Sequence, residues 1–167
     1  MNGNSDEPRA PLAMKPAGTN GQKTANLIGV QSASDFWLLD LSDSGEIVPM
    51  VPLTQVPLTR SWFAGIANIR GNLYAVTDFA AFQGKAPTPQ NSSSRFLLIG
   101  TRYGNNAALL VTRMLGLKKA DDLKSEETGP DTPPWVDAIY ADNEGHQWKK
   151  LSVRKLLSDK RFMEIGI

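Results

Sequence analysis

Gly65-Ile66-Ala67-Asn68-Ile69-Arg70-Gly71-Asn72-Leu73-Tyr74-Ala75-Val76-Thr77-Asp78-Phe79 is the stretch whose reading decides the fold of this chain. Two glycines, Gly65 and Gly71, bracket a turn that holds Asn68 and Arg70, because glycine takes positive φ without the steric cost that a Cβ imposes. Beyond the turn, residues 73–77 read as a strand of alternating and largely buried side chains. Nothing in the stretch suits a nucleophile or a general base.

The same grammar continues on either side. Short apolar runs at 27–31, 36–41, 47–51, 73–77, 95–101, 107–114, 136–141 and 146–151 are separated by Gly, Pro, Asn, Asp and Ser. No helix-length amphipathic segment lies between them, so the pattern predicts an all-β barrel or sandwich and not βαβ units. Asp142-Asn143-Glu144-Gly145 predicts a hairpin joining the last two runs. Segments 84–94 and 120–134 are polar and read as exposed loops. Two short helical pieces are expected, one opened by Asp78 over 78–82 and one capped by Ser152 over 152–165. In the second, Ser158-Asp159 restarts a turn that carries Phe162 and Met163. Residues 1–25 hold Pro8, Pro11 and Pro16 and no aromatic residue, Val or Ile, which predicts a disordered tail ahead of a domain over 26–167.

Composition narrows the chemistry. Of 167 residues 41% are hydrophobic and 21% charged, enough apolar surface for a packed domain. Eighteen basic against seventeen acidic residues leave a net charge of +1, too little for the field of a nucleic-acid binder. With no Cys and one His, thiolate zinc sites, disulfides, Cys nucleophiles and multi-histidine metal sites are all excluded. His146 follows a turn and reads as a surface imidazole, and no nucleophile elbow accompanies it. The carboxylates Asp121, Asp122, Glu126 and Glu127 sit in a loop that offers nothing to push their pKa values apart. The basic run Lys149, Lys150, Arg154, Lys155, Lys160 and Arg161 reads as a solvated helix face. No catalytic, cofactor-binding or metal-ligating set emerges. An SH3-like or OB-like barrel binding a peptide or nucleic acid is the alternative from these observations alone, although the aromatics Trp62, Phe63 and Tyr74 flank only Arg60 and Arg70.

Val56-Pro57, Gly65, Asn68-Ile69-Arg70-Gly71, Val76 and Asp78-Phe79 match, position by position, the run V-P…G-x-x-N-[LI]-R-G-x-x-x-x-V-x-D-[LF]. In this the chain resembles the CheW-like coupling proteins of bacterial chemosensory arrays, over about residues 35–162. The resemblance implies two five-stranded SH3-like β-barrel subdomains around a shared core, with short helices at the C-terminus. It implies a non-enzymatic adaptor without cofactor, which couples the cytoplasmic tip of a methyl-accepting chemoreceptor to a CheA-like histidine kinase. A cytoplasmic location at membrane-bound receptor arrays follows, without insertion into the membrane and without nucleic acid. The partner-binding residues it implies are Glu46, Asn68, Arg70, Gly71 and Asp78, with Arg70 beside Glu46. Trp62 to Asn68, Asn72-Leu73-Tyr74 and Leu157-Ser158-Asp159 look most like the PilI-type branch, which serves twitching by type IV pili; a general flagellar-chemotaxis coupling protein is the alternative. The chain departs from the family pattern at Thr112, where an Asp is usual, and at Ser44-Gly45.

Overall fold

The computed structural model describes residues 26–43 and 46–167. The tail expected over 1–25 and the departure at Ser44-Gly45 lie outside the described residues. In chain order the elements are β1 (Asn26–Ser32), β2 (Asp35–Asp40), β3 (Glu46–Pro49), β4 (Leu53–Thr54), β5 (Phe63–Ile69), β6 (Asn72–Asp78) and α1 (Phe79–Phe82). There follow β7 (Arg95–Leu98), β8 (Ala107–Val111), β9 (Arg113–Lys119), β10 (Lys124–Glu126), β11 (Val136–Ala141), β12 (Gln147–Leu151), α2 (Val153–Leu157) and α3 (Lys160–Met163). Two short 3₁₀ turns, Thr101–Tyr103 and Ala120–Asp122, complete the list.

The strands form two six-stranded sheets, ordered β9-β1-β2-β12-β11-β10 and β3-β7-β8-β6-β5-β4. In both, all neighbours are antiparallel except the middle pair, β12 with β2 and β6 with β8. The correspondence extends to single residues. Ala75 faces Ala107 across the parallel pair of the second sheet, and Lys149 faces Trp37 in the first. The strand then ends in a helix N-cap in each case: Asp78 accepts from the amide of Ala81, and Ser152 from the amide of Lys155. Only Met50, Val51 and Pro52 separate β3 from β4, which lie on opposite edges of the second sheet, so the sheet must curl until its edges are within about 15 Å. Residues 120–123 do the same for β9 and β10 in the first.

Each curl has its own interior. Val48, Ala67, Ile69, Tyr74, Val76, Phe96, Leu98, Ala108 and Leu110 fill the second, and Leu27, Leu38 and Trp148 the first. The opposite faces of both sheets meet in the largest cluster, where Ile28, Leu39, Leu97, Leu109, Phe79, Phe82, Trp135, Leu156 and Phe162 pack together. Central strands are thus buried on both faces, and this explains unbroken apolar runs such as Leu109-Leu110-Val111 in a small β protein. The first sheet takes its strands from either side of the second in sequence, and the shared cluster couples the two.

The expected all-β class, the hairpin at 142–145 and all three helical turns are present. Three local readings change. Residues 65–69, taken as part of a turn, belong to strand β5, where Gly65 serves a bulge at which a Cβ would lie 2.5 Å from the Thr54 carbonyl oxygen. The single run 107–114 is two strands: the chain leaves β8 at Val111 and enters the other sheet at Arg113. Thr112 sits at this crossing, its hydroxyl accepting from the Ala33 amide at 3.0 Å. Loop 120–134 contains the edge strand β10, and together with β4 this gives each sheet one strand more than the expected five.

Candidate partner-binding site

Strands β5 and β6 are joined by Arg70-Gly71 alone. Both residues have positive φ, 54° at Arg70 and 87° at Gly71, the backbone of a tight hairpin turn whose twist matches its strands. Gly71 suits its place through backbone freedom alone, since a Cβ there would meet nothing within 4 Å. Its amide donates to Asn68 Oδ1 at 2.9 Å, so Asn68 pins the turn from the strand before it. Arg70 is the anomaly. Asn, Asp or Gly is the normal occupant of that position, and a residue with a long side chain held there is strained.

The Arg70 guanidinium donates from Nη2 to Glu46 Oε1 at 2.5 Å. Glu46 opens β3, at the opposite edge of the curled sheet, so the pair spans the mouth of the curl. Both side chains are exposed, 62% for Arg70 and 46% for Glu46. The hydrogen bond to Glu46, then the Glu46 charge, hold the Arg70 pKa above its ordinary value. A guanidinium carries five donors in a planar fork, and among the described residues Glu46 takes a single bond from it. Beside the turn, Leu73 pairs across the hairpin with Asn68 and is 60% exposed. An apolar anchor next to an exposed cation with free donors can bind a protein surface.

Four of the five expected residues, Glu46, Asn68, Arg70 and Gly71, come together here. Asp78 does not. It lies at the other end of β6, about 20 Å along the strand, and is buried. Its Oδ1 accepts from the Ala81 amide and from the Thr88 hydroxyl at 2.7 Å, and its Oδ2 from the Thr88 amide at 2.8 Å. Asp78 therefore caps α1 and clasps the 83–94 loop. Thr88 was not legible as its partner, because ten residues of polar loop separate the two. Leu73 was legible only as one member of a strand pattern, and the fold leaves it exposed.

The chain is thus a doubly curled, two-sheet β protein with an exposed cation on one hairpin turn. The CheW-like domain model matches residues 26–161, and the chain belongs to that family. It is 23% identical over 156 residues to Protein PilI of Pseudomonas aeruginosa, covering 91% of this chain and 86% of that one. Among solved structures it is similar to the scaffolding protein TtCheW from Thermoanaerobacter tengcongensis, with a TM-score of 0.68 and 20% identity, over 86% of this chain and 99% of that chain. Among the described residues no helix is long and apolar enough to cross a membrane.

Proposed function

We propose that this chain is a non-enzymatic adaptor that couples the cytoplasmic tips of methyl-accepting chemoreceptors to a CheA-like histidine kinase, in the system that drives twitching by type IV pili. Membership of the CheW-like family supports the adaptor class, and the similarity to Protein PilI along most of both chains supports the pilus branch. The observation that carries the site is Arg70, kept at a φ of 54° and braced by Glu46 on an exposed turn. A fold selected for stability alone has no use for arginine at that position, whereas a contact surface has. Glu46, Asn68, Arg70 and Gly71 form the contact, and Asp78 has a structural role away from it.

Arg70→Ala is expected to leave the circular dichroism spectrum unchanged and to weaken association with receptor tip or kinase about ten-fold or more in a titration. Arg70→Lys keeps the charge without the planar fork and is expected to restore binding in part. Arg70→Ala binding both partners as tightly as the parent would remove the turn from the interface.

A further inference from the structure

The basic run Lys149, Lys150, Arg154, Lys155, Lys160 and Arg161 does not form one solvated face. Lys149 and Lys150 lie on β12, where they reach Asp35 and Asp40, and Lys155 on α2 pairs with Asp137. Arg161, on α3, is held without a carboxylate. Its Nη2 donates to the Phe82 carbonyl oxygen, and its Cζ stands 4.0 Å from the centre of the Phe82 ring. Arg161 shares a cleft of about 270 Å³ with Arg60, which comes from the segment before β5, and Trp62 and Glu164 are the other walls.

Arg60 is fixed as well. Its amide donates to the Ile165 carbonyl oxygen at 2.8 Å and its Nε to the Glu164 carbonyl oxygen at 3.4 Å. Trp62, the buried wall, meets Phe82 edge-on at 5.1 Å between ring centres and lies parallel to Phe162. Each guanidinium thus spends a donor on a backbone carbonyl, and among the described residues neither takes part in an ion pair with a carboxylate. Two arginines held in place with unused donors are a preorganised receptor for an anion. The exposed Glu164 carboxylate pairs with neither of them. Counting it, the walls carry two positive charges and one negative, an excess that one carboxylate neutralises and a phosphate dianion overshoots.

We infer that this cleft takes one carboxylate side chain from an acidic segment of a protein partner. The planar fork of a guanidinium matches a carboxylate through two parallel hydrogen bonds. Two residues before Arg60, Leu58 is 80% exposed at a φ of 60°, so an apolar contact adjoins the cations, as in protein interfaces. The pairing of Lys149, Lys150 and Lys155 removes the broad basic face that a lipid surface requires. The cleft also lies at the far end of β5 from the Arg70 turn, about 20 Å along the strand, so the two surfaces do not overlap.

The probe is the blocked peptide acetyl-Gly-Glu-Leu-Glu-Gly-amide, titrated into the full chain at low salt and followed by the arginine Nε–H and indole N–H signals in NMR. The expected result is saturable movement of the Arg60, Arg161 and Trp62 signals. The peptide with both Glu replaced by Gln is expected to bind about ten-fold more weakly or worse, and Arg60→Gln to weaken the Glu peptide by about five-fold. Glu164→Gln removes the one competing carboxylate and is expected to tighten the peptide by about two-fold or more. Both variants leave Arg161 and the aromatic wall in place, and an unchanged methyl dispersion confirms that they fold. No movement at ~5 mM peptide, equal binding of the Gln peptide, or movement spread over Arg154 and Lys160 would overturn the proposal. Displacement of the peptide by an equal concentration of inorganic phosphate, or by phosphatidylglycerol vesicles, would overturn it in favour of a phosphate ligand. None of these outcomes bears on Arg70.

Discussion

The two sheets have the same strand order, the same directions and the same helix caps, yet at equivalent turns they do opposite things. Between β5 and β6, a strained Arg70 reaches outward across the curl to Glu46. Between β11 and β12, Asp142 folds inward: its Oδ1 accepts from the amides of Glu144 and His146, and its Oδ2 from the Trp148 indole at 2.9 Å. Interiors differ in the same sense. Nine buried residues fill the second curl and three the first, Trp148 among them. One architecture thus carries a unit with a larger buried interior whose turn projects a cation, and a unit with a smaller one whose turn is held by its own carboxylate.

The strongest way to break this comparison is to ask whether the units are independent. The shared cluster denies it, and Phe79→Ala is expected to lower stability by about 3–5 kcal/mol. Both sheets should be lost together, with far-ultraviolet dichroism and tryptophan fluorescence giving coincident urea transitions. Two separated transitions would show that the sheets fold as separate units despite their interleaved order. Within the curls, Leu110→Ala is expected at the upper end of the usual ~2–5 kcal/mol range and Leu27→Ala at the lower end, because the second interior has more neighbours to leave stranded around a void.

What the sequence made legible follows the same division. The stretch 65–79 carried the family resemblance, the helix cap at Asp78 and the Arg70 turn, because each rests on local chemistry: a glycine, a capping carboxylate, an alternating strand. Non-local features were not legible. The 107–114 run reads as one strand, although it turns from buried Ala107–Val111 to exposed Arg113-Met114; the crossing at Thr112 pairs the second part with β1, far away in sequence. Strand β10, Lys-Ser-Glu in sequence, has no strand propensity and exists because residues 120–123 bring it alongside β11. Asp78 was assigned to the contact surface from its place in the motif, and only the fold places Thr88 against it.

A smaller effect sharpens the contrast between the turns. Arg70→Gly removes the steric cost of a Cβ at positive φ while keeping the turn, so Tm is expected to rise by about 2–4 °C, the scale of ~1 kcal/mol in a domain of this size. Receptor or kinase binding should fall at the same time. A variant both more stable and less able to bind would mark Arg70 as a residue retained for contact. An unchanged or lowered Tm would mean that the ion pair with Glu46 outweighs the backbone strain.

The smallest expected effect belongs to the other turn. The Trp148 indole N–H, followed by the backbone amides of His146 and Glu144, holds the Asp142 carboxyl at a pKa of about 2, below the ordinary 3.8, although partial burial works against this. Because the folded value is depressed, the ionised carboxylate is the form that folding favours. Its contribution is fully present above pH ~4 and is lost as pH falls from there through about 2. In Asp142→Asn the amide oxygen still accepts a hydrogen bond but does not titrate. The variant is therefore expected to be less stable than the parent at neutral pH, and the two Tm curves should converge as the parent's Asp142 becomes protonated. Other carboxylates titrate in the same window, so the informative quantity is the difference between the curves. A constant difference from pH 7 to pH 2 would show that Asp142 acts through the shape of its turn and not through its charge.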